Sequence, residues 1–319
     1  MRGVTFSEFK DGQNVDMFYN APDCKPGTPM QEAIRTAKEI RQKYSKDIYV
    51  WCDYSVQQMY SQLTMQAFKM AGIEFVAAIP VLSNNLSKRE NDCSIAYCEQ
   101  RNIPYELFYI DVEELFNGPE LEKYGEKFPT TQPQMTIVGK YFDILPKCCL
   151  VYPGFMAHIS NSDWTRTKNN GFMPFVPHQT QEHAAEVSGL EYTNFQEHYA
   201  NMYTSWMFTQ SYGEVLKLPT QDFVDNAPHR YYQYEMRTIK QAGFDTKPTY
   251  QKLIGIELLK SHFGHDKYDS ELRQRLSQFG PLLLKYASLQ YTVKVDTRLK
   301  EIIETHSVSY THLTLPTKA

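Results

Sequence analysis

Two short apolar runs, IYVWC at 48–52 and FVAAIPVL at 75–82, constrain this chain more than anything else in it. Neither alternates apolar with polar residues, so each reads as a strand covered on both faces. Between them lie a polar turn, DYSVQQMYS, and a helical pattern, QLTMQAFKMAGIEF. A strand, a helix and a second strand in this order require parallel pairing through a right-handed crossover. In such sheets the turn after the first strand is a usual seat for a ligand phosphate, because the next helix presents its free N–H groups there. Neither a GxGxxG nor a GxxxxGK[ST] sequence occurs in the chain.

The alternation continues on both sides. Thr28-Pro29-Met30-Gln31 combines a capping threonine, proline at the first helical position and glutamine three after the cap. Met30, Ala33, Ile34, Ala37 and Ile40 then form an apolar stripe that predicts a helix ending near Tyr44. Leu63, Ala67, Met70 and Ala71 share one helical face, and Gly72 stops that helix. Ser87-Lys-Arg-Glu90 is a second capping box, opening a helix to about Arg101. Tyr105 to Ile110 and Cys148 to Tyr152 complete four expected strands. The fold class this predicts is α/β, a doubly wound parallel sheet followed by a mostly helical C-terminal domain. Residues 1–27 lack periodicity and read as an irregular arm; 28–165 form the α/β domain; 166–306, broken at Pro219, Pro228 and Pro248, form the helical one. Residues 307–319, SVSYTHLTLPTKA, resemble the translation of a sequencing adapter, and the expectation is a tail without function that packs on nothing.

The central turn and its surroundings resemble the PP-loop ATP pyrophosphatase superfamily (adenine nucleotide alpha hydrolase-like), in a phage-type form. The family's first strand ends in Ser-Gly-Gly-x-Asp-Ser, and here Val56-Gln57-Gln58-Met59-Tyr60-Ser61 occupies those places with only the last serine kept and Ser55 just before. The helix–strand–helix–strand order from Ser61 to Asp111 is similar to the family's, as is the helix at Thr28 to Tyr44. The resemblance implies a Rossmann-like (HUP) fold, ATP with magnesium as cofactors, and adenylylation of a substrate with release of pyrophosphate. Such a ligase-like enzyme serves amide- or nitrile-forming nucleotide modification. It also implies that Ser55 to Ser61, Asn84, Asn85 and Gly154 surround the nucleotide, with Arg230, Arg237 and Lys252 on the substrate side. No catalytic residue is assigned.

The residues themselves qualify that implication. Glycine in a phosphate loop lets backbone N–H groups approach an anion and adopt positive φ. Gln57 and Gln58 stand at those places, and Tyr60 stands where a carboxylate would meet magnesium, a hard cation that takes oxygen ligands. Three readings follow: an inactive domain, a corrupted copy of an active one, or a site of altered geometry. A non-catalytic nucleotide-binding or protein-interaction module is the alternative function. Asn84-Asn85 could equally be a turn built of turn-forming residues.

Composition excludes other classes. The net charge of −4, from 33 basic and 37 acidic residues, gives no general attraction to nucleic acid or anionic membrane. No apolar run approaches the roughly 18 residues that span a bilayer. The N-terminus lacks a signal peptide's apolar stretch, so a cytoplasmic location is expected, in the host cell if phage-encoded. Cys24, Cys52, Cys93, Cys98, Cys148 and Cys149 contain no CxxC pair and read as buried free thiols. His178 with His183, and His262 with His265, lack the convergent ligands of a zinc site, so no metal site is expected among them. The partner expected is a small molecule or nucleotide.

Overall fold

The computed structural model describes residues 4–6, 15–22, 24–52, 58–128, 130–154, 178–196, 198–207, 209, 236–246, 256–281, 291–295, 297–298 and 301. The centre is a five-stranded, all-parallel sheet. In chain order its strands are β3 (Ile48–Trp51), β4 (Val76–Leu82), β5 (Tyr105–Ile110), β6 (Cys149–Tyr152) and β7 (Glu191–Asn194). Their spatial order is β5-β4-β3-β6-β7. The chain thus runs outward from the central β3 through β4 to β5, then returns to the other side of β3 for β6 and β7.

The four strands expected from sequence are all present, and β3 is interior. The fifth, β7, was not expected; EYTN is short and polar, and only its pairing with β6 makes it a strand. The sheet therefore continues past residue 166, where the sequence suggests a helical unit. Residues 1–27 also differ from the irregular arm expected. Val4–Phe6 (β1) and Val15–Tyr19 (β2) pair antiparallel, and β2 pairs parallel with Tyr291–Val295 (β8) near the other end of the chain. That pairing is set by tertiary contact, which local periodicity does not record. Residues 307–319 lie outside the described residues.

Strand side chains alternate between the faces with period two. Tyr49, Trp51, Ala78, Leu82, Leu150 and Tyr152 face one helical layer. It comprises α4 (Val112–Asn117), α5 (Glu120–Lys127), α6 (Pro133–Ile144) and α7 (His178–Val187). Ile48, Val50, Cys52, Ala77, Ile79, Cys149 and Val151 face the other layer. That layer holds α1 (Pro29–Lys43), α2 (Gln58–Met70), α3 (Lys88–Gln100) and α8 (Ala200–Met207). Helices on both faces give every strand of the parallel sheet the double cover it requires.

The segment 256–281 joins the first layer. Leu259, Tyr268, Leu272, Leu276 and Phe279 are buried in the same core as α4 to α6. Gly125 of α5 has no room for a side chain there: an added Cβ would lie 2.4 Å from Leu276 and 2.8 Å from Phe279. Arg275 fixes the same junction by a bidentate contact to Glu122, at 2.6 and 2.7 Å, and by donating to the Phe116 and Gly118 carbonyls.

Pro80, inside β4, fits for a local reason. The Cys52 N–H donates to the Ala78 carbonyl, whereas the Ala77 N–H donates toward the β5 side. Alternation therefore turns position 80 toward β3, whose pairing with β4 among the described residues runs from Tyr49↔Val76 to Trp51↔Ala78. Pro80, which has no N–H to donate, stands past the last of those pairs.

Candidate functional site

The strand order reverses direction between β3 and β6. In open α/β sheets the crevice at the carboxyl ends of two such strands is where ligands bind, because the loops leaving them diverge to opposite faces. Here the crevice lies between Cys52, just past the end of β3, and Pro153-Gly154, which follows β6. The helix α2 begins at Gln58.

Ser55, Val56 and Gln57 lie outside the described residues, and Gln58 opens α2. The next three residues belong to the core. Met59, Tyr60 and Ser61 are all buried, with Met59 and Tyr60 packed among the residues between α2 and the sheet. The Ser61 hydroxyl donates to the Trp51 carbonyl at 3.0 Å, tying the first turn of α2 to the end of β3. This contact holds the helix N-terminus at the crevice.

Gly154 adopts φ +69°, and an added Cβ would lie 2.1 Å from Asn194 Oδ1. Asn194, at the end of β7, accepts from the Gln196 N–H through that same oxygen. Gly154 is thus required by both conformation and close approach.

Asn84 and Asn85 follow β4 with φ of 58° each, a left-handed turn that asparagine tolerates. Asn84 is engaged by the C-terminal segment: its Nδ2 lies 3.3 Å from His262 Nε2 and donates to Glu113 Oε1 at 3.5 Å. His262 Nε2 is 2.7 Å from the same carboxylate oxygen. The turn reading and the docking contact together describe Asn84; Asn85 is exposed. Arg237 is exposed on the helix 236–241, while Arg230 and Lys252 lie outside the described residues.

The second capping box takes a different form from the one expected. Ser87 makes no side-chain cap to α3. Its hydroxyl instead accepts from the Leu82 N–H and from Asn91 Nδ2, both at 2.9 Å. Glu90, the expected reciprocal partner, is turned inward and is 2% exposed. Burial pushes its carboxyl above the ordinary carboxylate range, opposed by its own backbone N–H and by nearby Arg89. With Ser87, Asn91 and Ser94 it makes the buried stripe of α3 polar at the carboxyl edge of the sheet; farther along, the stripe becomes Tyr97 and Cys98.

The thiols follow their surroundings. Burial pushes Cys98, Cys148 and Cys149 up to about 12, so they stay protonated at neutral pH. Cys24 is exposed and Cys93 half-buried, contrary to the expectation that all six are buried. Among the described residues, no group of three or more His, Cys, Asp or Glu side chains is arranged to hold a metal ion. No described helix is long and apolar enough to cross a membrane.

Compared with known proteins, the chain matches no family model and no curated relative. The architecture and this edge of the sheet therefore carry the functional argument.

Proposed function

We propose that the protein is a non-catalytic nucleotide-binding module of PP-loop type, which takes the nucleoside end of an adenine nucleotide at the crevice between β3 and β6. The observation supporting this reading is the strand order, with the N-terminus of α2 held at the reversal point by the Ser61 contact to Trp51. The likeness in element order to the PP-loop superfamily supports adenine nucleotide as the ligand class.

The described residues do not fit magnesium-ATP chemistry. The place for a magnesium carboxylate holds Tyr60, whose ring is buried in the core. Gln57 and Gln58 occupy the places where glycine would open an anion nest. No adenylylation step is assigned to this chain.

Calorimetric titration with AMP and ATP, alongside a pyrophosphate-release assay, tests the proposal. Binding of both without pyrophosphate release is expected. Absence of binding by either nucleotide overturns it, and pyrophosphate release overturns its non-catalytic part. Val56→Ser, Gln57→Gly, Gln58→Gly and Tyr60→Asp introduced together should add a magnesium-dependent component to ATP binding. Each charge-assisted contact regained would contribute on the order of 1.5–3 kcal/mol.

A further inference from the structure

We infer that the outer edge of β5 is an interface at which a second copy of this chain adds its own β5 antiparallel, joining the two central sheets into one. The inference stands on the sheet and is independent of what the crevice binds. β5 closes one side of the sheet and β7 the other, and each has one neighbour among the described strands. The two margins are finished differently. The Glu191 N–H donates to the Cys148 carbonyl, so alternation turns the backbone of Tyr192 outward from β7. There its carbonyl accepts from the Tyr44 hydroxyl at 3.2 Å, and every β7 side chain except Glu191 is buried. β5 pairs with β4 without interruption from Tyr105 to Ile110. It contains no lysine, proline or bulge of the kind that blunts an edge, and Tyr109 is 70% exposed.

One bond settles which backbone groups of β5 point outward. The Ala77 N–H donates to the Pro104 carbonyl. In a parallel ladder this turns the backbone groups of Glu106, Phe108 and Ile110 toward β4, and those of Tyr105, Leu107 and Tyr109 away from it. Among the described residues, no hydrogen bond reaches these outward groups. An edge of this kind is a template for another strand.

Self-complementarity identifies the strand. A twofold axis through Leu107 sets Leu107 against its own copy and Tyr105 against Tyr109 of the second copy. All the outward N–H and C=O groups then find partners. Moving the axis to Phe108 sets Tyr105 against Asp111, which caps α4 and lies outside the strand. Moving it to Glu106 sets Tyr109 against Ile103, before the strand begins. The axis at Leu107 also agrees with charge. Glu106, the one ionised side chain of the strand, meets Phe108 of the second copy instead of another carboxylate, whose repulsion would oppose pairing. The exposed Tyr109 ring gains an aromatic neighbour across the axis. A single strand pair is a small interface, so affinity in the micromolar range is expected.

Sedimentation velocity on the full chain, over a micromolar to submillimolar series, should show a reversible dimer. Tyr109→Lys, a change at an exposed position, should weaken it at least about tenfold without lowering the melting temperature. Register is read by oxidation of single cysteines in a Cys24→Ser background. Leu107→Cys brings two copies within about 5.5 Å between Cα atoms, inside disulfide reach, and should cross-link. Tyr105→Cys leaves the two thiols more than about 13 Å apart along the strands and should not. If Tyr109→Lys does not fold, the cysteine pair carries the test. A monomer at every concentration overturns the proposal and leaves the edge to a strand of some other chain. A dimer that folded Tyr109→Lys does not weaken, or cross-linking at 105 in place of 107, overturns it equally.

Discussion

The two faces of the central sheet bury different chemistry. On the α4–α7 face, Trp51 packs against Tyr141, Phe142 and Tyr152 with ring centroids 5.1–5.6 Å apart, and residues 256–281 add a second apolar layer. On the α1–α3 face, small residues such as Ala33, Ala37 and Ala67 admit close helix approach, and buried polar groups gather toward the sheet's carboxyl edge. Large aromatic area contributes stability without specifying a ligand. Polar groups give less stability and more recognition. One face is mainly aromatic and apolar, and the other gathers buried polar groups toward the carboxyl edge of the sheet.

The contrast breaks most severely at Trp51. Trp51→Ala should cost about 3–5 kcal/mol in urea unfolding, because a cavity opens among three rings. The indole N–H has no hydrogen-bond partner, so Trp51→Phe should cost less than about 1.5 kcal/mol. An equal loss in both variants would show that the indole itself, rather than aromatic volume, holds this face together. On the same face, Gly125→Ala should cost about 1–3 kcal/mol by overpacking against Leu276 and Phe279. A neutral result would mean that the 256–281 segment shifts readily.

The two helix starts of the other face differ in the same instructive way. The Thr28 box is formed: its hydroxyl accepts from the Gln31 N–H at 3.3 Å, and Gln31 Oε1 accepts from the Thr28 N–H at 2.9 Å. It is exposed, and Thr28→Ala should cost about 1 kcal/mol. Ser87→Ala removes an acceptor from two buried donors, Leu82 N–H and Asn91 Nδ2, and should cost about 1–3 kcal/mol. Equal losses in thermal melts would sink the distinction between a surface cap and a buried connector.

The smallest effect has the opposite sign. Burial raises the folded-state pKa of Glu90 above its ordinary 4.5. A raised carboxyl supports the fold below the unfolded pKa, and that support is lost as pH rises through the folded one. Glu90→Gln should therefore be the more stable protein at neutral pH, with the advantage disappearing below about pH 4.5. Melting curves across that interval check the sign; a variant less stable at neutral pH would show that the carboxylate is structurally favourable.

Much of the sheet was legible because its strands carry long-range cover in their own composition. Val76–Leu82 and Ile48–Trp51 are apolar enough to require burial on both faces. The strands that sequence did not disclose are those whose identity comes from a partner. Glu191–Asn194 reads as polar linker until Cys149 to Tyr152 lies beside it, and Val15–Tyr19 is ordered by a strand near the far end of the chain. For the candidate site, the order of strand and helix in the sequence points to the carboxyl edge of the sheet, where the strand order reverses. It did not disclose which side chains turn inward. Ser87 and Glu90 satisfy a local capping rule on paper, but the free N–H of Leu82 competes for the serine and the local rule loses. Ser55 to Gln57 lie outside the described residues.

The parallel pairing of β2 with β8 has a consequence for how the protein is made. Val15 meets Tyr291, so β2 leaves the ribosome long before its parallel partner. During that interval β2 has, among the described strands, the short β1 beside it, and its other edge offers backbone groups to any passing strand. The central sheet faces no such delay: β3, β4 and β5 come in succession and can pair as they emerge. A nascent chain stopped before residue 291 would thus carry an assembled centre and an unclosed margin.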